Sequence, residues 1–176
     1  MASHDGRIPI PEPSELRDDV AQLLPLIAPP GREPAATMAI LGRQPELLSP
    51  FLAWAAALAL KGVLPHRDHE LLALRVASNC GSGFEWSEHA EYARAASLTD
   101  DEIARVAEAV DTGTWSETEQ ALLRAADELT TDHDVTDATW ATLARHYDLP
   151  ALVEILFVVG QYTMLSMVAN AAGLPA

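Results

Sequence analysis

Between Gly83 and His89 the chain reads Gly-Phe-Glu-Trp-Ser-Glu-His. A spacing of four places Glu85 and His89 on one face of any helix built here, with Tyr92 on the next turn. A carboxylate beside an imidazole orients the ring and holds its proton, which suits a general acid or base working near neutral pH. The same pair suits metal ligation, and His66 and His69, flanking Glu70, would add enough donors for zinc or another divalent ion. Against this, a Glu/His pair at helical spacing is common as a plain hydrogen bond, and histidines in a helix's first turn are usually solvated. The balance favours a site that needs neither a metal nor a redox cofactor.

Other residues nearby invite supporting roles. Arg75 lies in an apolar stretch, where a guanidinium needs carboxylate partners to offset its desolvation, although it would also suit a substrate acid. Trp86 and Trp54 read first as packing residues and Tyr92 as a supporting donor. Cys80 is the one cysteine, so no intramolecular disulfide forms. A free cysteine is commonly a small inert hydrophobe, and a catalytic Cys80 would need a resolving thiol from outside.

The elements that position these residues are helices, because no stretch alternates apolar and polar residues long enough for a strand. Prolines at Ile8–Pro13 and Ala28–Pro34 predict an extended arm over residues 1–34 around one short helix, Ser14 to Leu24. Residues 35–176 then form one helical domain. It begins with helices at Ala35–Leu41 and Glu46–Leu60; the second is ended by a left-handed Gly62 and buries Leu47, Phe51, Trp54 and Leu58. Pro65 opens a helix to Asn79, Gly81 and Gly83 allow a tight turn, and the motif helix runs from Phe84 to Ala96. Thr99-Asp-Asp-Glu102 and Ser116-Glu-Thr-Glu119 are capping boxes, starting helices to about Val110 and Leu129. Thr136 caps a helix to His146, and Pro150 opens a last one from Ala151 to Ala171. That last helix is apolar on nearly every side, which favours subunit contact.

Composition narrows the partners. With 11 Lys+Arg against 26 Asp+Glu the net charge is −15, which repels nucleic acid and anionic lipid. No apolar run follows a basic start at the N-terminus, and the longest apolar stretches fall short of the roughly eighteen residues of a membrane span. A cytoplasmic protein acting on a small molecule, without nucleic acid or membrane partners, is the expectation.

Two longer stretches carry a resemblance. Leu64-Pro-His-Arg-Asp-His-Glu-Leu-Leu-Ala-Leu-Arg-Val-Ala77 and Gly81-Ser-Gly-Phe-Glu-Trp-Ser-Glu-His89 resemble the signature of the carboxymuconolactone decarboxylase/AhpD-like group. The likeness continues through Leu98–Ile103 and Trp115-Ser116 to Val159–Met164. In the peroxidase branch of that group a Cys-x-x-Cys pair precedes a histidine by four residues, and a glutamate of the preceding helix joins a proton relay. Alignment on His89 puts Ser82 and Glu85 at the cysteine positions and Glu70 at the relay glutamate. Without two thiols the site cannot cycle between dithiol and disulfide. The chain is closer to the branch with Tyr-Glu-Trp-x-x-His, here with Phe84 in place of the tyrosine. The resemblance implies an all-α, AhpD-like bundle that forms dimers, trimers or hexamers. It carries over Glu70 and His89 but not the reaction; together with Glu85, from the helical spacing, they make the expected catalytic set, moving a proton in a decarboxylation, isomerisation or elimination. The alternatives are a single-cysteine thiol peroxidase and a non-catalytic helical oligomer or ligand-binding module.

Overall fold

The structure, a computed structural model, describes residues 6–28, 31–110 and 115–176. The stretches of the proline-rich arm at 1–5 and 29–30 lie outside the described residues. Among those described there is no strand and there are nine α-helices: α1 (Asp18–Ile27), α2 (Ala36–Leu41), α3 (Pro45–Lys61), α4 (His66–Asn79), α5 (Gly83–Ala95), α6 (Asp100–Val106), α7 (Glu117–Thr131), α8 (Asp137–His146) and α9 (Leu149–Ala172). The chain divides into two compact units, Met1–Lys61 with Ala171–Leu174, and Gly62–Asn170 with Pro175–Ala176. The division falls at Lys61–Gly62, so α2 and α3 group with the N-terminal arm and not with the helices that follow.

In the first unit, Val20, Leu24, Ala39 and Leu48 form a small core that Leu16, Leu23 and Leu52 flank. The short helix starts later than its sequence predicts, at Asp18, because Glu12 and Glu15 cap a separate 3-10 turn over Pro13–Glu15. The Ile8 amide donates to the Ala172 carbonyl at 3.0 Å. In α3 the buried stripe is offset from expectation: Leu48 and Leu58 are buried, whereas Leu47 and Trp54 are 59% and 42% exposed. This helix is apolar almost all round, so its periodicity does not define the inward face. Gly62 is not among the residues with positive φ, so α3 ends without the left-handed cap expected there.

The second unit is organised around α4, which packs on α5, α6 and α7. Leu71, Leu72, Leu74 and Val76 are fully buried, and Leu71 and Leu74 share a core with Ala90, Ala93, Ile103, Val106 and Leu123. The two capping boxes form as the sequence predicts, each hydroxyl accepting from the third amide of its helix while that residue's carboxylate accepts in return. Helix α6 stops at Val106, a turn earlier than predicted, and its last carbonyls are taken up by Arg75. That guanidinium donates to the Val106 and Glu108 carbonyls, both at 2.6 Å, and to both Asp127 oxygens at 2.6 and 2.8 Å. At the other end of α4, Arg67 joins Glu102 and Glu119, and this guanidinium pulls the Glu102 carboxyl down to about 2.

The turn from α4 into α5 fixes the direction in which the motif helix leaves. The Ser82 amide donates to the Ala77 carbonyl at 2.9 Å and the Gly81 amide to that of Ser78 at 3.0 Å, a Schellman ending that puts Gly81 at φ +61°. A Cβ added at Gly81 would meet nothing within 4 Å, so Gly81→Ala isolates the backbone cost. Equilibrium denaturation is expected to show a loss of about 1 kcal/mol with the fold intact.

By length and composition α9 is able to cross a membrane, contrary to the reading of its sequence. It is nonetheless built into the fold. Half of its most apolar window is buried, and Glu154, in its second turn, accepts from the Val63 and Leu64 amides at 2.5 and 3.4 Å.

Candidate functional site

Four elements bring the titratable groups together within the second unit. Helix α4 supplies His69 and Glu70 from its first turns, α5 supplies Glu85 and His89, and α9 supplies Gln161 and Tyr162. All six are at most 9% exposed. The loop between α4 and α5 contributes Ser82, whose hydroxyl accepts from the Glu85 amide at 3.4 Å and starts α5. An oxygen therefore does capping work where a thiol stands in the peroxidase branch.

His89 is held by Glu70. The imidazole Nδ1 lies 2.7 Å from Glu70 Oε2, whereas Nε2 is 3.9 Å from Glu85 Oε2, beyond hydrogen-bond reach. Helical spacing puts Glu85 and His89 on one face, but the close partner comes from the neighbouring helix. An ionised carboxylate only accepts, so the Nδ1–H donates to Glu70 and the Nε2 lone pair faces Glu85. Burial pushes the Glu85 carboxyl up, only partly opposed by His89. Its Oε1 is buried without a hydrogen-bond partner.

Tyr162 organises the other side of the ring. Its ring meets His89 edge-to-face with centroids 4.3 Å apart, and its hydroxyl lies 2.8 Å from His69 Nε2. Burial lowers the His69 pKa, favouring the neutral ring that accepts from this hydroxyl, and holds the Tyr162 phenol well above its ordinary value. The Gln161 amide lies beside the same hydroxyl and partly offsets that rise, while Gln161 Oε1 is buried without a partner. Sequence reasoning missed Tyr162 and Gln161 as site residues. The signal was a hydroxyl and an amide side by side in an otherwise apolar helix.

The remaining predicted residues take other places. His69 is buried, not solvated, and His66 is exposed; among the described residues no three or more His, Cys, Asp or Glu gather in a way that would hold a metal. Arg75 is fully engaged by Asp127 and the end of α6, which leaves it no fork for a substrate acid. Trp86 is half-buried against the core around Leu71 and Leu74. Tyr92 is 41% exposed with its ring 5.6 Å from that of His89. Cys80 ends α4; burial pushes its thiol up, against the weaker effect of the Ser166 and Thr163 hydroxyls, and its carbonyl accepts from Asn170 at 2.8 Å.

Glu85 carries a consequence for stability. As a neutral buried acid it contributes stability that is fully present below the ordinary carboxylate pKa and is lost as pH rises through its raised value in the folded protein. Glu85→Gln cannot ionise and escapes that loss. The melting temperature of the variant relative to its parent is therefore expected to climb as pH rises above about 4, the ordinary carboxylate value; a flat difference would place the ionised carboxylate at no disadvantage in the fold.

Residues 45–128 match the carboxymuconolactone decarboxylase family. No curated protein sequence matches the chain. Among solved structures, an uncharacterized peroxidase-related protein from Silicibacter sp. aligns with a TM-score of 0.80 at 18% identity, over 94% of this chain and 87% of that one. A second uncharacterized peroxidase-related protein, from Ralstonia eutropha and described as an alkylhydroperoxidase AhpD core, gives 0.73 at 23% identity, over 93% and 88%. A protein of unknown function from Agrobacterium tumefaciens, linked by name to the antioxidant defence protein AhpD, gives 0.69 at 22% identity, over 74% and 90%. At these identities the likeness establishes the AhpD-like helical fold.

Proposed function

We propose that the chain, which matches the carboxymuconolactone decarboxylase family over residues 45–128, is a member of it and an acid–base enzyme that moves a proton on a small organic substrate, in a decarboxylation, isomerisation or elimination. One observation carries the reading: a buried imidazole whose Nδ1 is fixed by Glu70 at 2.7 Å and whose Nε2 looks toward a second buried carboxyl 3.9 Å away. His89 takes a proton through Nε2, and Glu70 holds the ring in the tautomer that leaves this nitrogen bare. Glu85, whose carboxyl burial pushes up toward the protonated form, returns a proton to the substrate at another atom. Two groups pushed to opposite roles by their surroundings make an acid and a base on one side of a molecule. The chemistry calls on no cofactor. Turnover of small carbon acids in deuterated water, followed by loss of substrate proton signals, tests it; a Glu85→Gln protein as active as its parent would remove the assignment.

Self-assembly in the cytoplasm belongs to the same proposal. Val153, Leu156, Phe157, Met164, Met167 and Val168 form an exposed apolar stripe along α9, a surface that another copy of the chain would cover.

A second reading, thiol peroxidase chemistry through Cys80, is favoured by the peroxidase-related names of the structural neighbours. The raised thiol works against it, because the thiolate is the nucleophile. Cys80→Ser is expected to leave any hydroperoxide consumption unchanged in a coupled assay, and abolished consumption would reinstate the thiol.

A further inference from the structure

Two buried oxygens of the site have no hydrogen-bond partner: Oε1 of Glu85, a residue 3% exposed, and Oε1 of Gln161, a residue 8% exposed. Orphaned buried acceptors are costly and call for an explanation, such as ordered water or a ligand. The donors that might have served them are engaged elsewhere. His89 Nδ1 is on Glu70 and the Tyr162 hydroxyl is beside His69. The two arginines of α4 are also committed, Arg67 to Glu102 and Glu119, and Arg75 to Asp127, Val106 and Glu108. Besides the acid proton of Glu85, what the site leaves unfilled is acceptor capacity.

The gap between His89 Nε2 and Glu85 Oε2, 3.9 Å, is too long for one hydrogen bond. It suits a single atom lying off the line between them, about 2.8 Å from each. An amino group there donates to the imidazole lone pair and to a Glu85 oxygen, and a hydroxyl donates its one hydrogen to the imidazole and accepts from the Glu85 acid. A carboxylate has no hydrogen to give to the imidazole, and it would bring a second negative charge to the carboxylate of Glu70, where like charges disfavour one another.

We propose that this centre receives its ligand through an amino or hydroxyl group that donates to the His89 Nε2 and hydrogen-bonds Glu85, with Gln161 Oε1 as a further acceptor for an amino group, and that it discriminates against carboxylates. The inference takes its site from the acid–base reading and narrows it. Of the three reactions, decarboxylation of a free acid is the one it removes, leaving isomerisation or elimination on an amino- or hydroxyl-bearing substrate.

The test uses three probes of one skeleton, propylamine, 1-propanol and propionate, titrated into the full-length protein while the imidazole signals of His89 are followed by NMR. Saturable shifts are expected with the amine or the alcohol, and which of the two binds identifies the donor; propionate is expected to bind about tenfold more weakly or not at all. Glu85→Leu is expected to weaken the preferred probe about tenfold and Gln161→Leu the amine, each variant checked for an unchanged melting transition. Should Glu85→Leu fail to fold, Gln161→Leu decides alone, on the amine. Propionate binding as well as the others, or no saturable shift with any probe and ordered water on both oxygens, would overturn the proposal. Binding is read at equilibrium, so a protein that turns nothing over yet prefers the amine or alcohol would sink the acid–base reading and leave this one standing.

Discussion

Replacing Arg75 by methionine is expected to destabilise the protein by about 3 kcal/mol, measured by urea denaturation, the lower end of what breaking a buried ion pair costs. The side chain is 8% exposed and ties three places together: Asp127 in α7 and the carbonyls of Val106 and Glu108 at the end of α6. Methionine fills much of the same volume, so cavity formation contributes little. The loss comes from two carbonyls left without the guanidinium and a carboxylate left with Asn79 alone. Because Asp127 is a third exposed, water recovers part of its solvation, which keeps the figure below the upper end of the range. A change under about 1 kcal/mol would mean that water satisfies all three groups and that Arg75 is not the tie between α4, α6 and α7.

Glu85→Gln is expected to lower turnover by about 10²–10⁴-fold, the usual worth of a positioned acid or base. The amide is isosteric and needs no charge, so the fold should hold or gain above neutral pH, and a fall in rate cannot be blamed on unfolding. Glu70→Gln probes the other partner. An amide at that position either accepts from Nδ1 through its oxygen or presents N–H to it, and in the second case the imidazole must shift its proton to Nε2 and lose its free lone pair there. The rate is therefore expected to fall for Glu70→Gln as well, through loss of the base form and not of the acid. A pH–rate profile separates the two: Glu85→Gln removes the alkaline limb, where the acid must be protonated, while Glu70→Gln perturbs the acid limb, where the base must be free.

How far these residues were legible in the sequence depends on how far apart they lie along it. Glu85 and His89 are one helical turn apart and spacing alone aligned them; the capping boxes at Thr99 and Ser116 are equally local, and both formed. Glu70 entered only through the resemblance, and the finding that it, more than Glu85, holds His89 required the packing of α4 on α5. Tyr162 meets His69 across 93 positions, a pairing no local pattern encodes. Arg75 was expected to need a carboxylate, but Asp127 was one of 26 acidic residues and nothing nearby singled it out. The misjudged face of α3 has the same root: when every side of a helix is apolar, burial is decided by neighbours, and Leu47 and Trp54 took the outer positions.

The oxygen that caps α5 has a bearing on where such a site can operate. Ser82 accepts the Glu85 amide with a hydroxyl, at a position where a thiol would climb irreversibly to sulfinic and sulfonic acid under strong oxidant. Nothing among Ser82, Glu70, Glu85 and His89 is a sulfur. The centre is thus built to keep its shape and charge under oxidative stress that would silence a thiol-based relative, and peroxide that merely modifies Cys80 should leave the arrangement of its proton-moving groups unaltered.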